Sequence, residues 1–172
     1  MSEFHRLLEQ QIPRLRRYAR ALTRNRDRAD DLVQDTLSRA LEKEQFWQTG
    51  TNLGAWLFTI MHNQNVNNVR RDARGSAAVD IERLSTTLPA TTDPSASRKM
   101  VELDRALARL PLGQQQVILL VGLEGMSYEE TSRILGIPVG TVRSRLSRGR
   151  DTLRELLGME ERPAVAALPQ AA

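Results

Sequence analysis

The chain has no cysteine. Disulfides and thiolate-held metals are therefore excluded. His5 and His62 are the only histidines among 172 residues, too few imidazoles for a histidine-built metal site. No apolar run approaches the roughly 20 residues that a membrane-spanning helix needs. The first residues, MSEFHRLLEQQ, are polar and amphipathic and lack the apolar core of a signal peptide. These absences predict a soluble, cytoplasmic protein with no membrane insertion. The parts of a nucleic-acid enzyme are missing too: no paired acids at metal spacing, no nucleophile beside a base, no phosphate-cradling glycine loop. The sequence predicts no catalytic residue, no cofactor, no metal and no small-molecule substrate.

What is present is basic charge. The formal net charge of +4 favours an anionic partner without choosing between DNA, RNA and a membrane surface. The segment from Ser127 to Leu157, SYEETSRILGIPVGTVRSRLSRGRDTLRELL, makes the choice. Ser127 and Glu130 form a capping-box pattern that opens a helix. Gly136 suits the left-handed exit from that helix, and Pro138 suits the first turn of the next. In the second helix Val142, Leu146, Gly149, Leu153, Leu156 and Leu157 share one face. Gly149 in that row allows a neighbouring helix to come close. Arg143, Ser144, Ser147 and Arg148 lie opposite. Arginine pairs bidentately with guanine, and serine bonds base edges or phosphates. Thr141, in the first turn, is placed for a phosphate contact. This is the layout of a helix-turn-helix that reads duplex DNA. Met100, Leu103, Ala106, Leu107 and Leu110 mark a preceding helix stopped by Pro111, and Val117 to Val121 mark another, ended by Gly122 or Gly125. These supply the core that a helix-turn-helix cannot build alone.

The first part of the chain reads as all helix. Phe4, Leu7 and Leu8 start an apolar stripe, and Pro13 is expected to open a second helix, which continues through Leu15, Ala19 and Leu22. Asp27 is expected to cap the next, with Leu32, Val33, Thr36, Leu37, Ala40 and Leu41 inside. Its outer face gathers Asp30, Asp31, Gln34, Asp35 and Ser38. DNA repels such a face, so it is either a protein-binding surface or a solvated helix start favoured by the dipole. A loop from Glu44 to Thr51 holds Phe46 and Trp47, which serve either as stacking platforms for unpaired bases or as core side chains. Asn52 caps a long helix from Leu53 to about Arg74, with Leu53, Trp56, Leu57, Ile60 and Met61 inside. Its later half is almost entirely polar: His62, Asn63, Gln64, Asn65, Asn67, Asn68, Arg70, Arg71 and Arg74. Asparagine is a mediocre helix former, so the run asks for a reason. Amides match base edges and arginines match phosphates.

The chain divides at residues 75–97, rich in Ser, Thr, Ala and Pro, which reads as a flexible linker. Ile81 and Leu84 within it suit a short docking turn. Residues 159–172 read as a disordered tail. The predicted fold is all-α: two small helical domains, 1–74 and 98–158, the second a helix-turn-helix.

ADDLVQDTLSRAL at Ala29–Leu41, NLGAWLFTIMHN at Asn52–Asn63 and the string from Leu110 through Arg150 together resemble the extracytoplasmic-function group of bacterial sigma-70 factors. The resemblance covers nearly the whole chain up to Gly158. It implies a factor that binds core RNA polymerase and directs it to promoters. Residues 98–158 would match region 4, reading the −35 element with Arg143, Ser144 and Arg148 at base edges and Thr141 and Arg145 nearer phosphates. Residues 1–74 would match region 2, capturing the melted −10 strand. The loop from Phe46 to Asn52, including Trp47, would cradle a flipped base beside His62, Asn63, Asn67, Arg70 and Arg71. Asp31, Gln34 and Asp35 would contact polymerase, and the linker would thread toward the active-site channel. An anti-sigma protein is the implied negative regulator. Gly54, His62, Thr131 and Ser132 depart from the residues usual in the group. The competing expectation is a helix-turn-helix regulator that acts as a dimer without joining polymerase.

Overall fold

The computed structural model describes residues 2–75 and 94–159, with side chains in the second segment from residue 97 onward. All regular structure among them is helical: α1 (Glu3–Thr23), α2 (Arg26–Glu42), α3 (Leu53–Gly75), α4 (Pro94–Ala108), α5 (Leu112–Ile118), α6 (Tyr128–Leu135) and α7 (Val139–Leu156). A single 3-10 turn, Glu44–Phe46, follows α2, and a π turn, Leu119–Leu123, extends α5. Most of the predicted linker and of the tail lies outside the described residues. So do the docking turn suggested for Ile81 and Leu84 and the threading of the linker.

Helices α1 to α3 enclose the first core. Leu15, Tyr18, Leu32, Leu57, Phe58 and Met61 are fully buried there. Each aliphatic side chain so removed from water contributes about 1.5–3 kcal/mol. The Tyr18 and Phe58 rings meet edge to face, centroids 5.2 Å apart. Burial, and after it the charge of Glu124, holds the Tyr18 hydroxyl protonated far above the ordinary phenol range.

Three local expectations are corrected here. Pro13 does not open a helix; it sits inside an unbroken α1. Its missing N–H weakens one turn, but the residue is exposed, and burial of Leu8 and Leu15 on either side keeps the helix continuous. Asp27 is not the cap of α2. Arg24 closes α1 in the left-handed region at φ 56, which leaves Asn25 as the cap, its side chain accepting from the Arg28 amide at 2.9 Å. Leu41 is not an inner residue. It is 45% exposed in the last turn of α2, beyond the packed stretch of that helix.

In the second half Leu110, Val117, Leu120, Ile134, Val142 and Leu146 are buried, in an apolar cluster continuous with that of the first. The capping box is complete: the Glu130 amide donates to Ser127 Oγ, and the Ser127 amide donates to the Glu130 carboxylate. Gly136 leaves α6 at φ 64, as its position in the sequence requires. Pro138 stands just before α7 rather than in its first turn. A Cβ on Gly149 would lie 2.6 Å from Ile118 Cδ1, so a larger residue there would require the Ile118 side chain to move for α7 to seat this closely on α5. Thr131 is fully buried, and its hydroxyl has no partner among the described residues. Thr131→Val keeps the shape and removes that unmet polar group. Urea unfolding should show a gain of about 1 kcal/mol; a loss would mean the hydroxyl is satisfied.

The two halves touch. Helix α3 packs against α6, and α1 meets the π turn. No reading of the sequence anticipated this contact.

Candidate nucleic-acid and protein interfaces

Helix α7 sorts its residues by face. Val142, Leu146 and Gly149 are buried, while Arg143, Ser147 and Arg148 are exposed on the far side. Five residues of spacing between Arg143 and Arg148 keep the two guanidiniums on neighbouring turns. Arg143 stacks over the Tyr128 ring at 5.8 Å, which fixes its direction at the start of the helix. Ser144 is half-buried and donates to the Thr141 carbonyl at 3.1 Å. Thr141 is likewise half-buried. Arg145 behaves differently from its neighbours. Its guanidinium lies against Gly113, where a Cβ would come within 2.8 Å of Nη1. It props the start of α5 against α7.

The two aromatics of the loop after α2 part ways. Phe46 is 69% exposed. Trp47 packs on Phe4 at 5.5 Å, and its buried indole N–H has no partner among the described residues. Trp47 thus follows the core reading, and Phe46 stands clear of the core. Asn52 caps α3, its carbonyl oxygen accepting from the Ala55 amide at 3.1 Å. Its amide nitrogen donates to the Glu130 carboxylate on α6. Hydrogen bonds, first that from the Ser127 amide, hold Glu130 below the usual carboxylate range, with partial burial opposing them.

Farther along α3, Asn63, Asn67, Arg70 and Arg71 are all exposed, while Asn65 turns inward. Arg71 donates to Asn68 at 2.9 Å. His62 is half-buried, and burial holds its imidazole below its ordinary value. It is therefore neutral at neutral pH and adds no charge for a phosphate. The unfolded chain takes up this proton before the folded one does. The sign follows: stability falls as pH drops through about 6.5 and stops falling below the folded-state value. In His62→Gln the loss in Tm between pH 7.5 and 5.5 should be smaller than in the parent chain.

Asp31, Gln34 and Asp35 are exposed on α2. With Asn68, Arg71 and Asp72 of α3 they border one open groove of about 570 Å³. The acidic face and the end of the Asn/Arg run, separate in sequence, thus share a groove.

Residues that no local signal marked lie between the halves. Glu124 follows the π turn with its side chain fully buried. Arg14 Nε donates to it at 3.1 Å, and Arg17 donates through Nε and Nη2 at 3.0 Å each. Arg14 also donates to the Glu124 carbonyl at 2.8 Å. Arg24 and Asp104 form a second pair at 3.1 Å.

Among the described residues no helix is long and apolar enough to cross a membrane, and no cluster of acidic or histidine side chains is arranged to hold a metal.

Comparison with known proteins accounts for both halves. Residues 8–62 match the family described as the Sigma2 domain of PhyR, and residues 100–153 match Sigma-70, region 4. The chain is 42% identical over 146 residues to the ECF RNA polymerase sigma factor EcfG of Rhodopseudomonas palustris (strain TIE-1), covering 85% of this chain and 80% of that protein. It is 36% identical over 164 residues to SigE, an ECF sigma factor of Mycolicibacterium smegmatis, covering 91% of this chain and 62% of that protein. Its fold matches the sigma factor RpoE from Bartonella quintana, solved in complex with the anti-sigma factor NepR. The TM-score is 0.81 at 35% identity, covering 94% of this chain and all of that one. The chain belongs to the ECF RNA polymerase sigma factors.

Proposed function

We propose that this sigma factor divides a promoter between its two helical halves. Residues 98–158 read the −35 element as duplex. Arg143, Ser144, Ser147 and Arg148 face base edges, and Thr141 lies nearer the backbone, while Arg145 acts through its support of α5. Residues 1–74 capture the melted −10 strand. Phe46 supplies the exposed ring, Trp47 braces the loop from behind, and Asn52 stands at its end. Asn63, Asn67, Arg70 and Arg71 track the strand, with neutral His62 beside them. The observation that supports this most directly is one chain bearing two unlike faces, arginines on α7 and amides with arginines on α3. A regulator that binds duplex alone has no use for the second.

The chain works with core RNA polymerase, to which Asp31, Gln34 and Asp35 offer an acidic contact, and with promoter DNA. Its own residues supply binding energy and positioning, and the polymerase does the chemistry. It acts in the cytoplasm, where the polymerase is, and an anti-sigma partner regulates it. The test is co-purification with core polymerase followed by transcription from a genomic library. Stoichiometric association with new specific start sites is expected. Tight duplex binding without association would return the chain to the regulator reading. Asp35→Arg should weaken polymerase binding about tenfold, on the order of 1.4 kcal/mol, with duplex binding by the full chain unchanged. Unaltered assembly would make the acidic face a solvated one.

A further inference from the structure

The contact between the two halves joins a continuous apolar cluster to a buried charge. Glu124, fully buried, receives three side-chain donors from Arg14 and Arg17 on α1. Arg14 reaches it by passing over the Phe58 ring, 5.7 Å from the centroid, and over Gly54. A Cβ on Gly54 would come 3.1 Å from Arg14 Nη1 and 3.1 Å from Gln11 Oε1, so a larger residue there would press on this path. Gln115 donates to the Ala21 carbonyl at 3.3 Å, and Arg24 pairs with Asp104. Asn52, expected at the −10 element, is engaged by Glu130 of the helix-turn-helix.

This arrangement cannot read a promoter. The two elements lie about 25 base pairs apart, roughly 85 Å of duplex at 3.4 Å per pair. A compact body of this chain length is roughly 40 Å across. The halves must separate for both to be read, and Asn52 must be released for the −10 strand. The chemistry of the contact suits separation. An ion pair on a buried carboxylate gains little net energy because that carboxylate has given up its water. On opening, Glu124 recovers that hydration, and Arg14 and Arg17, already partly exposed, regain the remainder of theirs.

We propose that the free protein rests in a closed form latched by Glu124 against Arg14 and Arg17, and that joining polymerase opens it. The consequence for transcription rests on the promoter reading above; the latch itself does not. The absence of cysteine allows a clean distance measurement on the full chain. Glu9→Cys and Glu155→Cys place spin labels on exposed positions of α1 and α7. Pulsed electron resonance should give one short, narrow distance for the otherwise unchanged protein. Glu124→Gln, and separately the pair Arg14→Gln with Arg17→Gln, should shift it to long, broad distances with helix content intact by circular dichroism. Either variant should associate with core polymerase about fivefold faster, since opening no longer precedes docking. A broad distance in the unchanged protein would overturn the latch, as would variants that stay folded and keep the short distance. Variants that open as described yet never bind polymerase would leave the latch standing and sink the promoter reading instead.

Discussion

Phe58→Ala should cost the fold about 3–5 kcal/mol, the range for removing a large aromatic from a packed core. Phe58 is 1% exposed, and its ring meets Tyr18 at 5.2 Å. Arg14 crosses its face on the way to Glu124. Truncation therefore leaves a cavity, strips an edge-to-face partner from Tyr18, and removes the surface over which Arg14 runs. Denaturant unfolding would measure the loss, read from the midpoint at constant slope. The deficit should also reach function selectively. Polymerase association and −10 capture should fall at 37 °C, because α1 to α3 share this core, while the folded second half keeps its affinity for duplex. A loss below about 1 kcal/mol would mean that the core repacks, against the close packing expected of protein interiors.

Arg148→Ala should weaken binding to a −35 duplex by about 1–3 kcal/mol and relax discrimination at one base pair. Arg148 is exposed, and it forms no salt bridge with any described residue. Its removal leaves nothing unpaired in the protein, so the loss reads contact with DNA alone. Arg145→Ala offers the contrast. That guanidinium lies against Gly113, so its loss should appear in stability as much as in binding, with no base position relaxed. Fluorescence anisotropy on a set of single-base variants separates the two. Equal affinity of the Arg148 variant for every duplex, unchanged from the parent, would remove that residue from base recognition.

The legibility of this chain follows the range of the interactions. The second half read well because its signals are local. Ser127 with Glu130 fixes one end of α6, Gly136 the other, and Pro138 the approach to α7 within a dozen residues. In the first half the same local logic misplaced two boundaries. Pro13 is a helix opener by type, but continuous burial on both sides overrides the one missing hydrogen bond. Asp27 is an acceptable cap, but the left-handed turn at Arg24 had already brought Asn25 to that position. Phe58 was left out of the inner face of α3, although it is buried next to Leu57 and one turn before Met61. The divided fate of Phe46 and Trp47 depends on Phe4, at the other end of α1 to α2 in sequence. Least legible is the join between the halves. Arg14 and Glu124 are 110 positions apart, and neither differs in pattern from other surface charges of a highly charged chain. Family likeness matched each half to a sigma-factor domain and said nothing of how they rest together.

The π turn at Leu119–Leu123 gives this join a phase. A π turn holds one residue more than the α-helix around it, and one residue advances a helix by about 100° of azimuth. Removing a single residue from this stretch would leave α6 and α7 folded but rotate everything after it relative to α5. Glu124 would then face solvent instead of α1. Residue count in these few positions sets the bearing of the reading helix with respect to the rest of the chain. A length change here is therefore a route by which related chains can differ in resting form while keeping every residue proposed to face DNA.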